Sequence, residues 1–147
     1  MIDAEQEEIV VTTDVGCMDL DVIHDFLAGS YWAQGIARET VERSMHHSLC
    51  FGAFRQGAQV GFARVITDRA TFAYVCDVFV KPSCRGQGVG KRLMAEIMGH
   101  PALQGLRRWT LFTRDAHPLY RRFGFREARH PARLMEVFVG DPGASAS

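Results

Sequence analysis

Ile9-Val-Val-Thr-Thr13 opens the patterned part of the chain with a β-branched run that predicts a first strand. Asp14 to Gly16 break it. Over residues 18–29 the apolar period changes: Leu20, Ile23, Phe26 and Leu27 fall on one helical face, and Gly29 supplies a stop. A shorter, more polar helix is expected over residues 38–47. Three strand-like segments follow, Leu49 to Arg55, Gln59 to Thr67 and Thr71 to Lys81. Gln56-Gly57 and Asp68-Arg69 separate them, and two tight connections in succession imply an antiparallel meander. Helical spacing returns over residues 89–98, where Val89, Leu93 and Ile97 form a stripe flanked by Met94 and Met98, ended by Gly99 and Pro101. Arg108 to Thr113 predicts a strand, parallel to the one before it because a helix connects the two. Pro118 to Phe123 predicts a short helix and Leu134 to Val139 a last strand. This order gives an α+β fold with a sheet of mixed direction, not a doubly wound one.

Composition narrows the class. The chain has 147 residues, 47% apolar and 23% charged, which suits one soluble domain, expected over residues 1–139. Residues 140–147 lack an apolar anchor and are expected to be a disordered tail. Seventeen basic residues balance seventeen acidic ones, so a general nucleic-acid partner is not expected. Most of the arginines nonetheless fall within residues 81–133, where they can surround one site. The first eight residues, MIDAEQEE, are acidic where a secretory signal would be basic and then apolar. No apolar run approaches the roughly 20 residues of a membrane helix, so no membrane partner is expected. Cys17, Cys50, Cys76 and Cys84 are scattered, without a CxxC. A reduced, cytoplasmic chain with neither disulfide framework nor metal site is the expectation.

The most specific chemistry lies in Arg85-Gly-Gln-Gly-Val-Gly90, between a strand and a helix. It is not a dinucleotide fingerprint, which needs GxGxxG, and not a Walker A loop, since Arg85 and Arg92 stand where glycine and Ser or Thr are required. The physics shared with those loops remains. Glycines let backbone N–H groups converge into a concave nest, and a helix N-terminus adds partial positive charge; together they hold phosphate. Arg85, Lys91 and Arg92 would add full charges around it.

That hexapeptide resembles the (Arg/Gln)-x-x-Gly-x-(Gly/Ala) signature of the GNAT superfamily of N-acetyltransferases. Asp115-Ala-His-Pro-Leu-Tyr120-Arg-Arg-Phe-Gly-Phe125 is similar to that family's later motif, at the usual separation. Thr113 stands where many members carry asparagine, a departure that speaks against close kinship with the ribosomal-protein N-terminal acetyltransferases. The resemblance covers residues 9 to 139 and implies a mixed central sheet of about six to seven strands with flanking helices. It implies that Arg85, Gly86, Gln87, Gly88, Val89, Gly90 and Lys91 grip the pyrophosphate of acetyl-coenzyme A, with no metal. Val78, Phe79 and Val80 on the preceding strand would pair with the pantetheine arm, and Thr113, Ala116 and Phe123 would add cofactor contacts. The implied reaction is direct transfer of an acetyl group to a primary amine, borne by a small molecule or a peptide, in a protein that is often a homodimer. Another acyl donor, and a non-catalytic acyl-coenzyme A module, are the alternatives.

Such a transfer needs a neutral amine, a donor for the developing oxyanion and a proton for the leaving thiolate. A backbone N–H of Phe79 or Val80 is the oxyanion candidate that the resemblance suggests. Tyr120 is the candidate general acid, because a phenol of pKa about 10 is protonated at neutral pH. Asp77, set in the apolar run Phe72 to Val80, has two readings: a base raised by burial, or a structural carboxylate paired with a cation such as Arg64. Tyr31 and Trp32 either wall an acceptor pocket or plug the core. His46 and His47 read as a surface helix end, and Thr113 and Asp115 as either ligand contacts or a cap for the following helix.

Overall fold

The computed structural model describes residues 8–141. Most of the acidic start and residues 142–147 of the expected tail lie outside the described residues. Five strands form one sheet in chain order: β1 (Val10–Thr12), β2 (Leu49–Arg55), β3 (Ala58–Thr67), β4 (Phe72–Val80) and β5 (Arg108–Leu111). The first four pair antiparallel, and β5 pairs parallel with β4. The helices are α1 (Leu20–Ala28), α2 (Arg38–His46), α3 (Val89–Met98) and α4 (His117–Arg121). The turn between β2 and β3 has left-handed φ at both Gln56 (53°) and Gly57 (79°), the pairing whose twist suits a two-residue hairpin.

The sheet separates two cores. On one face α3 buries Val89, Leu93, Met94 and Ile97 to 2% exposure or less, against Phe51, Ala63, Val65, Ala73 and Val75. At about 1.5–3 kcal/mol per buried apolar side chain, this stripe fastens the helix to the sheet. On the other face α1 and α2 bury Ile23, Leu27, Val41 and Met45 against Cys50, Phe62 and Phe79. The approach of α3 is close enough that a Cβ on Gly61 of β3 would stand 2.9 Å from Val89 Cγ1 and 3.1 Å from the Phe79 carbonyl oxygen.

A bulge in β4 decides which core its last residues enter. Arg64 pairs with Cys76 and Phe62 with Phe79, so three steps on β4 face two on β3. Asp77 carries the extra step at φ 54°, a left-handed conformation that Asp tolerates better than most side chains. The extra residue reverses the facing: Ala73 and Val75 lie on the α3 side, whereas Phe79 crosses to the α1 side and stacks on Phe26 at 4.1 Å.

Five strands are found, where about six to seven were expected. The segment Leu134 to Val139, expected as a strand, follows a 3-10 turn at Pro131–Arg133 and pairs with nothing among the described residues. Its apolar side chains are 60–93% exposed. High β-propensity stabilises a strand only where a partner edge and a packed face exist, and this segment reaches neither in its own chain. β5 also stops at Leu111, short of the expected Thr113.

Candidate active site

The loop between β4 and α3 is shaped by two left-handed glycines, Gly86 (φ 78°) and Gly88 (φ 84°). A Cβ at either would meet nothing within 4 Å, so backbone conformation, not crowding, calls for glycine there. Gly88 is the N-cap of α3 and offers no side-chain cap. The first α3 hydrogen bond around this cap runs from Arg92 N–H to Gly88 O at 3.0 Å. The amides of residues 86–91 find no acceptor among the described residues. Six adjacent N–H groups, at the positive end of a helix, are therefore left for an anion. They border a cleft of about 280 Å³ lined by Val80, Arg85, Gly86, Gly88, Lys91 and Leu119.

Beside this cleft the sheet opens. β5 pairs with β4 only from Phe72 to Val75, and β4 continues to Val80 with no strand on that side. Lys81 N–H donates to Val60 O on β3 at 2.8 Å. Alternation along the strand then turns the N–H and C=O of Val80 the other way, into the opening. The same alternation directs the Phe79 amide to β3, and the Phe79 ring is 4% exposed. Of the two oxyanion candidates, Val80 is the one whose amide faces the slot.

Tyr120 stands on α4, next to Leu119 of the cleft lining. Its ring is 8% exposed and meets Phe125 edge-on at 6.1 Å. The hydroxyl has no hydrogen-bond partner among the described residues, yet it is not sealed from solvent; that condition falls, among the described side chains, to Arg55 Nε. Burial, helped by Tyr31 and Asp115, pushes the phenol up to about 12. It is a protonated donor with nothing to donate to in the protein itself.

Asp77 is fully engaged. Its Oδ2 accepts from Arg64 Nε at 2.8 Å and its Oδ1 from Trp32 Nε1 at 2.9 Å. Arg64 also donates to Ser48 Oγ at 3.0 Å. Both members of the ion pair are mostly buried, with side chains 16% and 11% exposed. Of the two readings left open for Asp77, the paired one is observed. Tyr31 and Trp32 are not a core plug: they are 47% and 36% exposed and lie across the bulge. Tyr31 Oη accepts from the Arg114 amide at 3.3 Å, and the Arg114 guanidinium lies 3.8 Å over the Tyr31 ring. These contacts bind the segment after α1 to the loop after β5.

With this geometry in view, comparison with known proteins is decisive. Residues 46–127 match the family model described as an acetyltransferase (GNAT) domain. The chain belongs to the GNAT acetyltransferase family. A candidate acetyltransferase of Gibberella zeae is 31% identical, covering 93% of this chain and 92% of its own. The crystal structure of a candidate GNAT acetyltransferase from Xanthomonas campestris pv. campestris superposes with a TM-score of 0.88 at 51% identity, over 92% of this chain and 95% of that one. A Mycobacterium tuberculosis protein solved in complex with CoA shares the fold alone, at TM-score 0.66 and 19% identity over 82% of this chain and 73% of that one. This GNAT chain is thus an acetyl-transferring enzyme.

Within this GNAT fold, several expected positions have other duties. The Thr113 hydroxyl accepts from Ala116 N–H at 3.0 Å and so caps α4. Phe123 packs against the α3-side core. The Val89 side chain is buried at 2%, which leaves its amide as its part in the site. Gln87 turns its carbonyl to Arg55. Arg92 pairs with Glu96 at 3.1 Å, so of the two consecutive cations Lys91 faces the cleft. His46 and His47 are exposed at the end of α2. Sequence reasoning missed Leu119 and Cys84, which line the cleft, and Ser48, which completes the Arg64 network. Leu119 had a usable signal, since it precedes Tyr120 on the same helical turn; Ser48 had none. Among the described residues no group of three or more His, Cys, Asp or Glu could hold a metal ion, and no helix is long and apolar enough to cross a membrane.

Proposed function

We propose that this enzyme transfers an acetyl group from acetyl-coenzyme A directly to a primary amine. The observation that carries the reading is the row of unpartnered amides at residues 86–91, beside a β-strand edge that faces an open slot. The loop amides, with Arg85 and Lys91, hold the diphosphate. The Val80 backbone pairs with the extended arm, as one more strand would, and so brings the thioester toward Tyr120. Attack by the neutral amine forms the C–N bond; the C–S bond breaks and its electron pair leaves with sulfur. The Tyr120 hydroxyl gives the thiolate its proton and recovers one from solvent. The amine's own proton departs to water in the slot, because both Asp77 oxygens are held by Arg64 and Trp32. Asp77 is then a positioning residue: it fixes the bulge and the Trp32 indole that walls the acceptor side. Direct attack also suits the cysteines, since burial raises the Cys50 thiol to about 11 and the Cys76 thiol to about 12, far from a reactive thiolate.

The neutral charge balance and the aromatic wall of Tyr31 and Trp32 favour a small-molecule or unmodified peptide amine over a strongly charged acceptor. The test is release of free thiol from acetyl-coenzyme A across a panel of alkyl, aryl and peptide amines. At least one class should give release above the no-acceptor rate, and Tyr120→Phe should abolish most of it. Binding of coenzyme A with no thiol release on any class would overturn the catalytic reading.

A further inference from the structure

Arg55 ends β2 on the face that α3 covers, since Phe51 and Ala53, at alternate positions before it, both belong to that core. Its guanidinium reaches the loop at the start of α3, where Nη1 donates to the side-chain carbonyl of Gln87. Among the described residues this is the guanidinium's one hydrogen bond, and no carboxylate lies within ion-pair distance of it. Its Nε is the buried side-chain nitrogen left without a partner. The loop it touches already carries Arg85, Lys91 and the unpartnered amides of residues 86–91. A cation at a helix N-terminus is opposed by the dipole, and a buried donor without an acceptor is costly. Neither stabilises the free protein, and a group that breaks both rules calls for a reason outside the fold.

We propose that Arg55 is a positioning residue for the cofactor: by holding the Gln87 carbonyl it keeps the glycine loop in the shape that gathers its amides around the diphosphate. The inference rests on the reading of that loop as the diphosphate site. Gln87 stands between the left-handed Gly86 and Gly88, and its bond to Arg55 is the only side-chain hydrogen bond from residues 85–91 to another strand among the described residues. Without that tether two glycines leave the loop free to spread, and the ligand must then bear the cost of ordering it. The tether also settles which way the Gln87 amide turns. Its acceptor end is occupied by Arg55, and Nε2, which donates to no described residue, is the end left to meet an anion. The negative charge of the cofactor in turn offsets the crowded cations, so Arg55 is tolerated best in the loaded enzyme.

The test is calorimetric titration of the full chain with coenzyme A and with dephospho-coenzyme A, which keeps the diphosphate and lacks the 3′-phosphate. Arg55→Met, which retains an apolar stem, should raise both dissociation constants about 10-fold, and Arg55→Lys should recover part of the loss. Gln87→Ala should weaken binding by about the same factor, and the double substitution no further than either alone, because the two side chains act as one tether. Gln87 is exposed, so its variant reports on the loop even if Arg55→Met disturbs the scaffold. Affinities within about threefold of a binding-competent wild type in either single variant, or additive losses in the double, would overturn the tether. So would a loss seen with coenzyme A and not with dephospho-coenzyme A, which would make Arg55 a direct contact of the 3′-phosphate. A wild type that binds neither ligand would instead sink the reading of the loop itself.

Discussion

Replacing Tyr120 by Phe removes one oxygen atom and leaves the ring. Because that hydroxyl bonds to no described residue, its loss strands no partner. The ring, 8% exposed and set against Phe125, keeps its packing. Folding stability should therefore change by no more than about 0.5 kcal/mol, as for substitutions that open no cavity and break no buried hydrogen bond or ion pair. Affinity for coenzyme A should also hold, since the loop and the β4 edge are untouched. Turnover should fall by about 100-fold or more, the usual worth of a positioned acid, or about 2.7 kcal/mol of barrier. Steady-state thiol release, with calorimetric titration of coenzyme A on the same preparation, separates these quantities. The wild-type phenol adds a pH arm. Its folded pKa of about 12 lies above the ordinary value near 10, so the neutral form is the one the fold favours. Its contribution to stability is intact below about pH 10 and is lost as pH rises toward 12, an effect of the order of 2–3 kcal/mol that Tyr120→Phe should lack. Across pH 7 to 9 the acid stays protonated, so rising rates there should track deprotonation of the amine. Unchanged turnover in Tyr120→Phe would remove the residue from the chemistry, and a large stability loss would show that the hydroxyl has a structural partner after all.

Other consequences follow from the scaffold and the loop. Gly61→Ala forces a Cβ to 2.9 Å from Val89 and 3.1 Å from the Phe79 carbonyl, so thermal or urea unfolding should report a loss of about 1–3 kcal/mol; a neutral result would mean that α3 can back away from the sheet. Asp77→Asn should cost about 3 kcal/mol by leaving the mostly buried Arg64 unpaired, and adding Arg64→Met should recover part of it. If the two substitutions are simply additive in urea melts, the pair is not a unit. Gly88→Asp should weaken coenzyme A binding at least about 30-fold in calorimetry, because its carboxylate competes for the same amides and repels the diphosphate. An affinity within threefold of wild type would count against the loop assignment.

Where the sequence carries a local cause, it was a reliable guide. The α3 stripe of Val89, Leu93 and Ile97 is buried as its spacing requires, and the β2–β3–β4 meander turns at Gln56-Gly57 and Asp68-Arg69. Asp68 shows why: its carboxylate accepts from the amides of Ala70, Thr71 and Phe72, a turn an aspartate can build unaided. The glycine loop was legible because the left-handed φ at Gly86 and Gly88 is one that glycine adopts without steric cost. The bulge at Asp77 was not, since a left-handed φ at a residue other than glycine leaves no mark on composition. Nor was the contact of Trp32 with Asp77, 45 residues apart, which depends on how α1 meets the sheet. Leu134 to Val139 was misread as a strand of this sheet for the converse reason: its local preference is genuine, but pairing is a property of the edge it meets.

The account depends most on the loop amides binding the diphosphate, and amide NMR reads those groups one by one. In 1H–15N spectra of the wild-type protein, the Gly86 to Lys91 resonances should move strongly on adding coenzyme A. They should stay in place on adding pantetheine, which lacks the diphosphate. Loop resonances that ignore coenzyme A, or that respond equally to pantetheine, would contradict it.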